Sequence, residues 1–551
     1  MRITYGDWAD VAARRVQGAD KALEPIRRKA YNLRRLVAGD SSMIGGEPAK
    51  PEIDAQSLAI KNLYDFFIDS TTEGRSNRLV EGVKTLLMQV THKFPEIEFE
   101  DLEPVQAAIN AGACKELLGA RPKGCSAQDE LKLSMLCYLI DGIGWSEQSF
   151  DPYTDRPVVR CADTLNMSWD PSSGLPSAMR WASCRKCEPL GYWVEHFGIR
   201  KMQAIWQSVI QTRDLDSPLE LEFYYDTDGA HGRGMHYVFQ RSNGAIDAKP
   251  IHTEENPWYF DTQTRRVPYL PYTPMYFLRL PSMRNPISIV EMMLADQIAI
   301  WRDEDRLYAV IEHMKQFYAV QKGAMSKKQR DAFVSGQDSV LVEIEENKEP
   351  PVLVPAGDLP RGVVDDRQYR ERRIQTQGGF DPWAGGSPIE GVAFAKEVEA
   401  IKSSSGMTAA SCTGDYIGLW VQVVRKFLCA LSVYGDDIEV SVRYDGITIE
   451  YGPKKSIKER IVPDADISIR EDTTIYRSRE QAVNEALRNL QIAQSMAAIF
   501  PNAQAQAYEK FLAAVGERNV KAYIESPTPT MQPMGGQSPQ DLTEGSTAGL
   551  Q

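Results

Sequence analysis

Two long helical segments in the second half of the chain most constrain how it can fold. The first follows Pro286 and keeps a one-sided apolar stripe at Ile287, Val290, Leu294, Ile298, Trp301, Leu307 and Ile311. It predicts a rod of about 29 residues and ~43 Å. The second covers residues 389–434 and would span ~68 Å if continuous, although the run Ser403–Gly406 predicts a kink or an interruption. Such stripes, including Leu419, Val423 and Phe427, are interpreted as helix-packing surface.

The segment between these helices has its own order. Strand-like runs (FYAVQKG, SVLVEIE and PPVLVPAG) come first, and an acidic stretch at 343–349 separates the last two. A second helix is predicted over 358–376, where five arginines alternate with acidic residues. Residues 378–388 (GGFDPWAGGSP) are predicted to form a loop, because Gly and Pro are concentrated there.

In the rest of the chain, sequence patterns typical of helices alternate with patterns typical of strands. Residues 1–37 are predicted to form a helix with nine basic and four acidic residues. This basic helix could present a solvated face, or it could contact phosphate groups or another subunit. Residues 127–141 predict a buried helix that ends at Gly142. Asp-Gly and Asn-Gly turns predict hairpins within 145–280 and after residue 434. A capping box at Ser478–Gln481 predicts C-terminal helices to about residue 525, followed by a disordered tail.

Composition narrows the class of protein. The 551 residues, at about 150 per domain, would predict three or four units. The net charge of -13 argues against a surface that grips nucleic acid throughout. The N-terminus lacks the apolar region of a signal peptide, and no uninterrupted apolar stretch predicts a membrane span. Common nucleotide-binding, hydrolase and metalloprotease motifs are missing, so no enzyme, no cofactor and no metal site is expected.

The eight scattered cysteines indicate reduced thiols rather than a disulfide framework. The close pair Cys184 and Cys187 leaves structural zinc or redox chemistry open, with Cys161 and His196 as the nearest additional ligands, but packing thiols are the favoured interpretation. His231 and His236 lie in a Gly-rich stretch and are predicted to be in a loop.

Several stretches, together with the order of elements, carry a resemblance to a known family. They are DGIGW at 141–145, MSWDPSSG at 167–174, SAMRWASC at 177–184, the segment 269–307, and DISIREDTTIYRSREQAVNEALRNLQ at 466–491. In this order and spacing the chain, from about residue 60 to 520, resembles the portal protein (head-to-tail connector) of tailed bacteriophages.

The resemblance implies an α+β portal-type fold whose subunits form a ring, normally of twelve, at one capsid vertex. It implies an α/β wing, a helical stem, a small clip, a tunnel loop, a long kinked helix and a helical crown. The assignments are wing 1–285, stem helix 286–316, clip 317–357, second stem helix 358–376, tunnel loop 377–390, wing 391–476, crown 477–525 and disordered tail 526–551.

The implied function is a channel through which double-stranded DNA is packaged and ejected without sequence specificity. The partners would be the terminase large subunit, then a head-tail adaptor, the major capsid protein and a scaffolding protein, with no membrane. Such a protein would assemble in the host cytoplasm and reside in the virion. A net negative ring fits this function, since it would surround DNA without holding each phosphate.

Candidate site residues follow from the resemblance. The tunnel loop would contain Gly378, Gly379, Phe380, Trp383, Gly385 and Gly386. The basic residues of the second stem helix are Arg361, Arg367, Arg370, Arg372 and Arg373, which could contact DNA or form ion pairs within or between subunits. The clip would dock partners through Glu343, Glu345, Glu346, Lys348 and Glu349, or these residues could form a solvated turn.

Two alternatives stay open at this stage. One is a metal- or thiol-dependent DNA-processing enzyme that uses the region of Cys184 and Cys187. The other is a different virion structural protein, such as an adaptor or tail component.

Overall fold

Long helices and antiparallel strands make up the described part of the chain, a mixed α+β fold. The computed structural model describes residues 5–38, 77–119, 126–150, 156–173, 178–197, 215–229, 232–242, 244–247, 249–261, 266–278, 286–313, 317–319, 352–354, 361–378, 395–436, 438–444, 447–452 and 455–469, with isolated positions elsewhere. Contacts divide the chain into two units, Met1–Ile475 and Tyr476–Gln551. The predicted crown helices, apart from isolated helical positions, and the predicted tail lie outside the described residues.

The structure describes eight α-helices. They are α1 (Tyr5–Val37), α2 (Arg78–Val90), α3 (Pro104–Leu117), α4 (Ala127–Asp141), α5 (Leu190–Phe197), α6 (Ile289–His313), α7 (Arg361–Gly378) and α8 (Ala395–Tyr434).

The strands are short and pair only antiparallel within the described ranges. They are β1 (Ile97–Phe99), β2 (Ile143–Phe150), β3 (Pro157–Ala162), β4 (Met167–Trp169), β5 (Trp181–Pro189), β6 (Pro218–Asp226), β7 (Met235–Ser242), β8 (Ala245–Ile246), β9 (His252–Glu255), β10 (Tyr259–Asp261), β11 (Arg266–Pro268), β12 (Tyr272–Tyr276), β13 (Phe317–Ala319), β14 (Val352–Val354), β15 (Val440–Tyr444), β16 (Ile447–Tyr451) and β17 (Ile467–Ile469).

The larger sheet has the order β4-β5-β6-β7-β8, and β9 also pairs with β7. The predicted turns are confirmed where the strands are described. β7 and β8 pair across residues 243–244, with Ser242 opposite Ala245, and Gly244 has φ +79°. β15 and β16 pair across 445–446, with Tyr444 opposite Ile447. An Asn-Gly or Asp-Gly pair provides the positive φ that tight hairpins need.

The predicted buried helix α4 also ends where expected. Gly142 has φ +84°, and its N–H bonds to the carbonyl of Tyr138. Two residues later, the backbone of Gly144 lies against α4, and a Cβ at this position would be only 2.1 Å from the carbonyl oxygen of Ser134. The pair of glycines thus lets the chain reverse from α4 into β2 without separating the two elements.

The N-terminal helix α1 joins two hydrophobic cores. Its first part, from Ala9 to Ile26, packs with the larger sheet, whereas Leu33 and Val37 belong to a core formed mainly by helices. The helix is therefore confirmed, and its packing explains its alternating small and apolar residues. Its basic residues divide: Arg14, Lys21 and Arg28 are exposed, while others bind acidic groups of the body.

A buried ion cluster fixes the C-terminal end of α1. Arg34 is 0% exposed and donates to both carboxylate oxygens of Asp141, at 3.0 and 2.5 Å, and of Asp163, at 3.0 and 2.8 Å. Asp141, Asp163 and Cys137 lie close enough together to hold a metal ion, but the guanidinium of Arg34 supplies the compensating charge at this position.

A second cluster fixes the other half of α1 to the larger sheet. Arg241 on β7 donates to Glu222 of β6 at 2.8 Å and to Asp20 of α1 at 2.5 Å. Ser183 of β5 donates to the other oxygen of Glu222 at 2.5 Å. Buried charges are tolerated when they are paired in this way.

The long helix α8 contributes residues to both hydrophobic cores. It contributes Tyr416, Trp420 and Phe427 to the helical core, and Cys429 and Ala430 to the core of the larger sheet. The predicted interruption at residues 403–406 is wrong, because α8 is helical through them, whereas a kink there stays a prediction. Ser and Gly lower helix stability by only about 0.5–1 kcal/mol per residue, which good helix formers on both sides can outweigh.

One helix among the described residues has the length and composition of a membrane span. It is Thr408–Tyr434, within α8, and 56% of its most apolar window is buried inside the fold. A buried core helix has the same composition as a membrane span, so length and apolarity alone do not separate the two.

Candidate functional site

The predicted stem helices α6 and α7 pack against each other as an antiparallel pair. Arg367 on α7 contacts Glu304 of α6 at 3.1 Å, and Arg373, nearly two turns further along, contacts Asp296 at 3.2 Å. Residue numbers rise on one helix as they fall on the other, so the helices run in opposite directions. At their far ends, β13 and β14 pair antiparallel, with Tyr318 opposite Leu353.

The contact between α6 and α7 is strongly electrostatic. Asp296, Asp303 and Glu304 of α6 are buried, with exposures of 3%, 5% and 6%. Arg370 of α7 reaches Asp296 at 3.6 Å while its Nε donates to Asp366 of its own helix at 2.9 Å. The hydrogen bond to Asp366 is the main reason why the pKa of Arg370 is raised. The arginines of α7 therefore neutralise Asp296 and Glu304, whereas Asp303 pairs with Arg306 of α6 itself.

The structure separates the predicted basic residues of α7 into two groups. Arg367 and Arg370 are half-buried and bind acidic side chains of α6 and α7. Arg372 and Arg373 are exposed, although Arg373 also reaches Asp296. Arg361 is the first residue of the helix. Arg367, Arg370 and Arg373 therefore form the ion pairs within the subunit that the sequence left open. Contact between the arginines of α7 and DNA stays a prediction.

Other predicted sites fall mostly outside the described residues. Gly378 is the buried last residue of α7, whereas Gly379, Phe380, Trp383, Gly385 and Gly386 lie outside the described part of the chain. So do the clip residues Glu343, Glu345, Glu346, Lys348 and Glu349.

The close cysteine pair cannot act as one chelating unit. Cys184 and Cys187 both lie on β5, and residues three apart on a strand point to opposite faces. Cys184 is buried and Cys187 is exposed, as this alternation requires. Burial raises the pKa of both thiols, which disfavours the reactive thiolate. This geometry weighs against a joint metal-binding or redox role for this cysteine pair.

Sequence reasoning missed a cluster of two histidines and a glutamate. The prediction that His236 lies in a loop is wrong: it is the second residue of β7, where Met235, Tyr237 and Phe239 alternate with it. The surrounding glycines suggested a loop, but they lie before the strand. His236 faces His252 and Glu254 of β9 in an aromatic-lined cavity of about 510 Å³. The alternation His252-x-Glu254 was the available signal, since both side chains share one face of a strand.

We expect the α6–α7 ion pairs to stabilise the helix pair measurably. In a double-mutant cycle of Glu304→Gln and Arg367→Met, the coupling energy should reach about 1 kcal/mol, because Glu304 is largely withdrawn from water. Urea unfolding would measure it. The more exposed pair Arg78–Glu81 is the matched control, with an expected coupling of about 0.3–0.5 kcal/mol. A coupling no larger than the control would contradict a stabilising role for the pair.

Comparison with models of protein families finds no match for this chain, and comparison with curated proteins finds none either.

Proposed function

We propose that this chain is the subunit of a portal ring, a non-enzymatic channel for double-stranded DNA at one vertex of a phage capsid. The ring would contain about twelve subunits, as the family resemblance implies. Its partners would be the terminase large subunit during packaging, then head-tail adaptor proteins, with the major capsid protein and a scaffolding protein around it.

The observation that carries the proposal is the order and pairing of elements between residues 286 and 434. A helix leaves the body, a short antiparallel strand pair follows, a second helix returns antiparallel to the first, and a 40-residue helix re-enters the core. The stem, clip and long helix of a portal subunit have this order. The strand β17 then pairs with β1, so the chain returns to its N-terminal part.

The charges of the stem helices are compatible with a channel that lets DNA slide. Three of the five arginines of α7 bind carboxylates of α6 and α7, so these cations are already neutralised and would trap phosphates less strongly. The net charge of -13 per chain would make the ring repel DNA overall. Exposed aromatic side chains at Tyr308 and Tyr369, 63% and 60% exposed, are available on the stem helices for contacts between subunits.

The direct test is the assembly state of the purified full-length chain. Negative-stain microscopy should show rings with a central hole, and mass photometry should give a mass near twelve times 61.9 kDa. A stable monomer at micromolar concentration would overturn the proposal. Rings that are found in tail assemblies without a capsid would instead favour another virion structural protein.

The predicted tunnel loop provides a functional test. Deleting residues 379–386 spares Gly378, which closes α7, and is expected to leave the rings intact while impairing DNA packaging or retention. The reason is that a glycine-rich loop supplies the conformational freedom a moving constriction needs. Packaged DNA per particle, measured by quantitative PCR after nuclease treatment, would report it. Full-length genomes retained at the normal level would refute a gating role.

A further inference from the structure

The pairing of β7 with β9 brings His236, His252 and Glu254 together. His236 lies directly opposite Glu254 in the register, and His252 lies opposite Val238. Residues opposite each other, and residues two apart on one strand, point to the same face. The three side chains therefore project from one face of the sheet.

The donor atoms of the three side chains are spaced as metal ligands are. The Nδ1 of His236 lies 2.9 Å from one oxygen of Glu254, and the Nε2 of His252 lies 3.2 Å from the other. One donor atom from each residue lies within 4.8 Å of the other two. A tetrahedral zinc ion with bonds of about 2.0–2.1 Å separates its ligands by roughly 3.3 Å, so only small shifts are needed.

The surroundings hold the ligands in place and leave one polar atom without a partner. The ring of His236 stacks on Tyr225, with centroids 4.1 Å apart. Its Nε2 is buried and has no hydrogen-bond partner. Two cationic side chains line the same cavity, and both have partners: Lys186 is bound to Glu147 at 2.7 Å, and Arg160 is hydrogen-bonded to Tyr192. A buried ring nitrogen without a partner calls for an explanation, and an ion bound beside the ring is one.

We propose that His236, His252 and Glu254 bind a divalent transition-metal ion, with zinc as the best match to two imidazoles and one carboxylate. Three protein ligands leave a further coordination position, which the cavity beside the cluster can supply with water or a small ligand. Magnesium and calcium are not expected to compete, because they require mainly oxygen ligands. This site does not depend on the portal assignment.

The test is a zinc titration of the full-length protein after treatment with a chelator. Calorimetry should show one site per chain, with affinity at least about tenfold weaker in His252→Gln and in Glu254→Gln, since even the loss of an outer-shell partner costs 10–100-fold. His92→Gln, an exposed histidine on another part of the surface, is the control and should bind normally. Circular dichroism would verify that the variants remain folded.

Cobalt substitution distinguishes this site from adventitious binding to thiols such as the exposed Cys187. Co²⁺ should give a visible absorption band without thiolate charge transfer, and the band should disappear in Glu254→Gln. Absence of stoichiometric binding, or binding unchanged in folded His252→Gln and Glu254→Gln, would overturn the proposal. Either result is independent of whether the chain forms rings.

Discussion

Replacing Arg34 with Met is expected to lower the free energy of unfolding by about 3–5 kcal/mol, which is the cost of removing one partner from a buried ion pair. The side chain has no exposure to water and neutralises both Asp141 and Asp163. Met fills a similar volume, so the loss comes from uncompensated charge rather than from a cavity. Chemical denaturation of the two proteins would measure it.

The pH dependence of this variant provides an independent check. Burial raises the pKa of Asp141 even though Arg34 opposes that shift, so removing Arg34 should raise it further. A raised carboxyl pKa favours folding at low pH and loses that contribution as pH rises. The deficit of Arg34→Met should therefore be smallest near pH 4 and grow toward pH 7.

Arg28→Met is the matched control, because Arg28 lies on the same helix and is exposed. Its effect should stay within about 0.5 kcal/mol. If Arg34→Met were as mild as this control at every pH, the cluster would not be what holds the C-terminal end of α1 to the body.

Replacing Trp420 with Ala should lower stability by about 3–5 kcal/mol, the usual range for removing a large aromatic side chain from a core. Trp420 is 0% exposed in the helical core, and its ring packs edge-on against Phe94 with the ring centroids 5.2 Å apart. Urea unfolding followed by far-ultraviolet circular dichroism would measure the loss.

The exposed Met88 on α2 provides the control for Trp420→Ala. Its side chain is 53% exposed, so Met88→Ala should change stability by about 0.5 kcal/mol or less. A loss in Trp420→Ala no larger than that in Met88→Ala would contradict the role of Trp420 as a central packing residue of the helical core.

Some candidate sites could be partly anticipated and others could not. The arginines of α7 were visible as a cluster, yet their partners on α6 are about 60 to 80 residues away in sequence, and only the antiparallel packing selects them. Cys184 and Cys187 illustrate the opposite case. Their separation on β5 follows from strand periodicity alone, once the segment is known to be a strand.

Sequence by itself determined the local structure of this protein: helix α4 with its glycine end, the hairpins at Gly244 and at 445–446, and the two long helices. These depend on periodicity and turn chemistry within a few residues. Tertiary structure alone decided that Arg34 meets Asp141 and Asp163, that α8 is unbroken, and that His236 meets His252 and Glu254. Contacts between distant residues depend on strand register and on which faces pack into the same core. A local sequence pattern encodes neither of these.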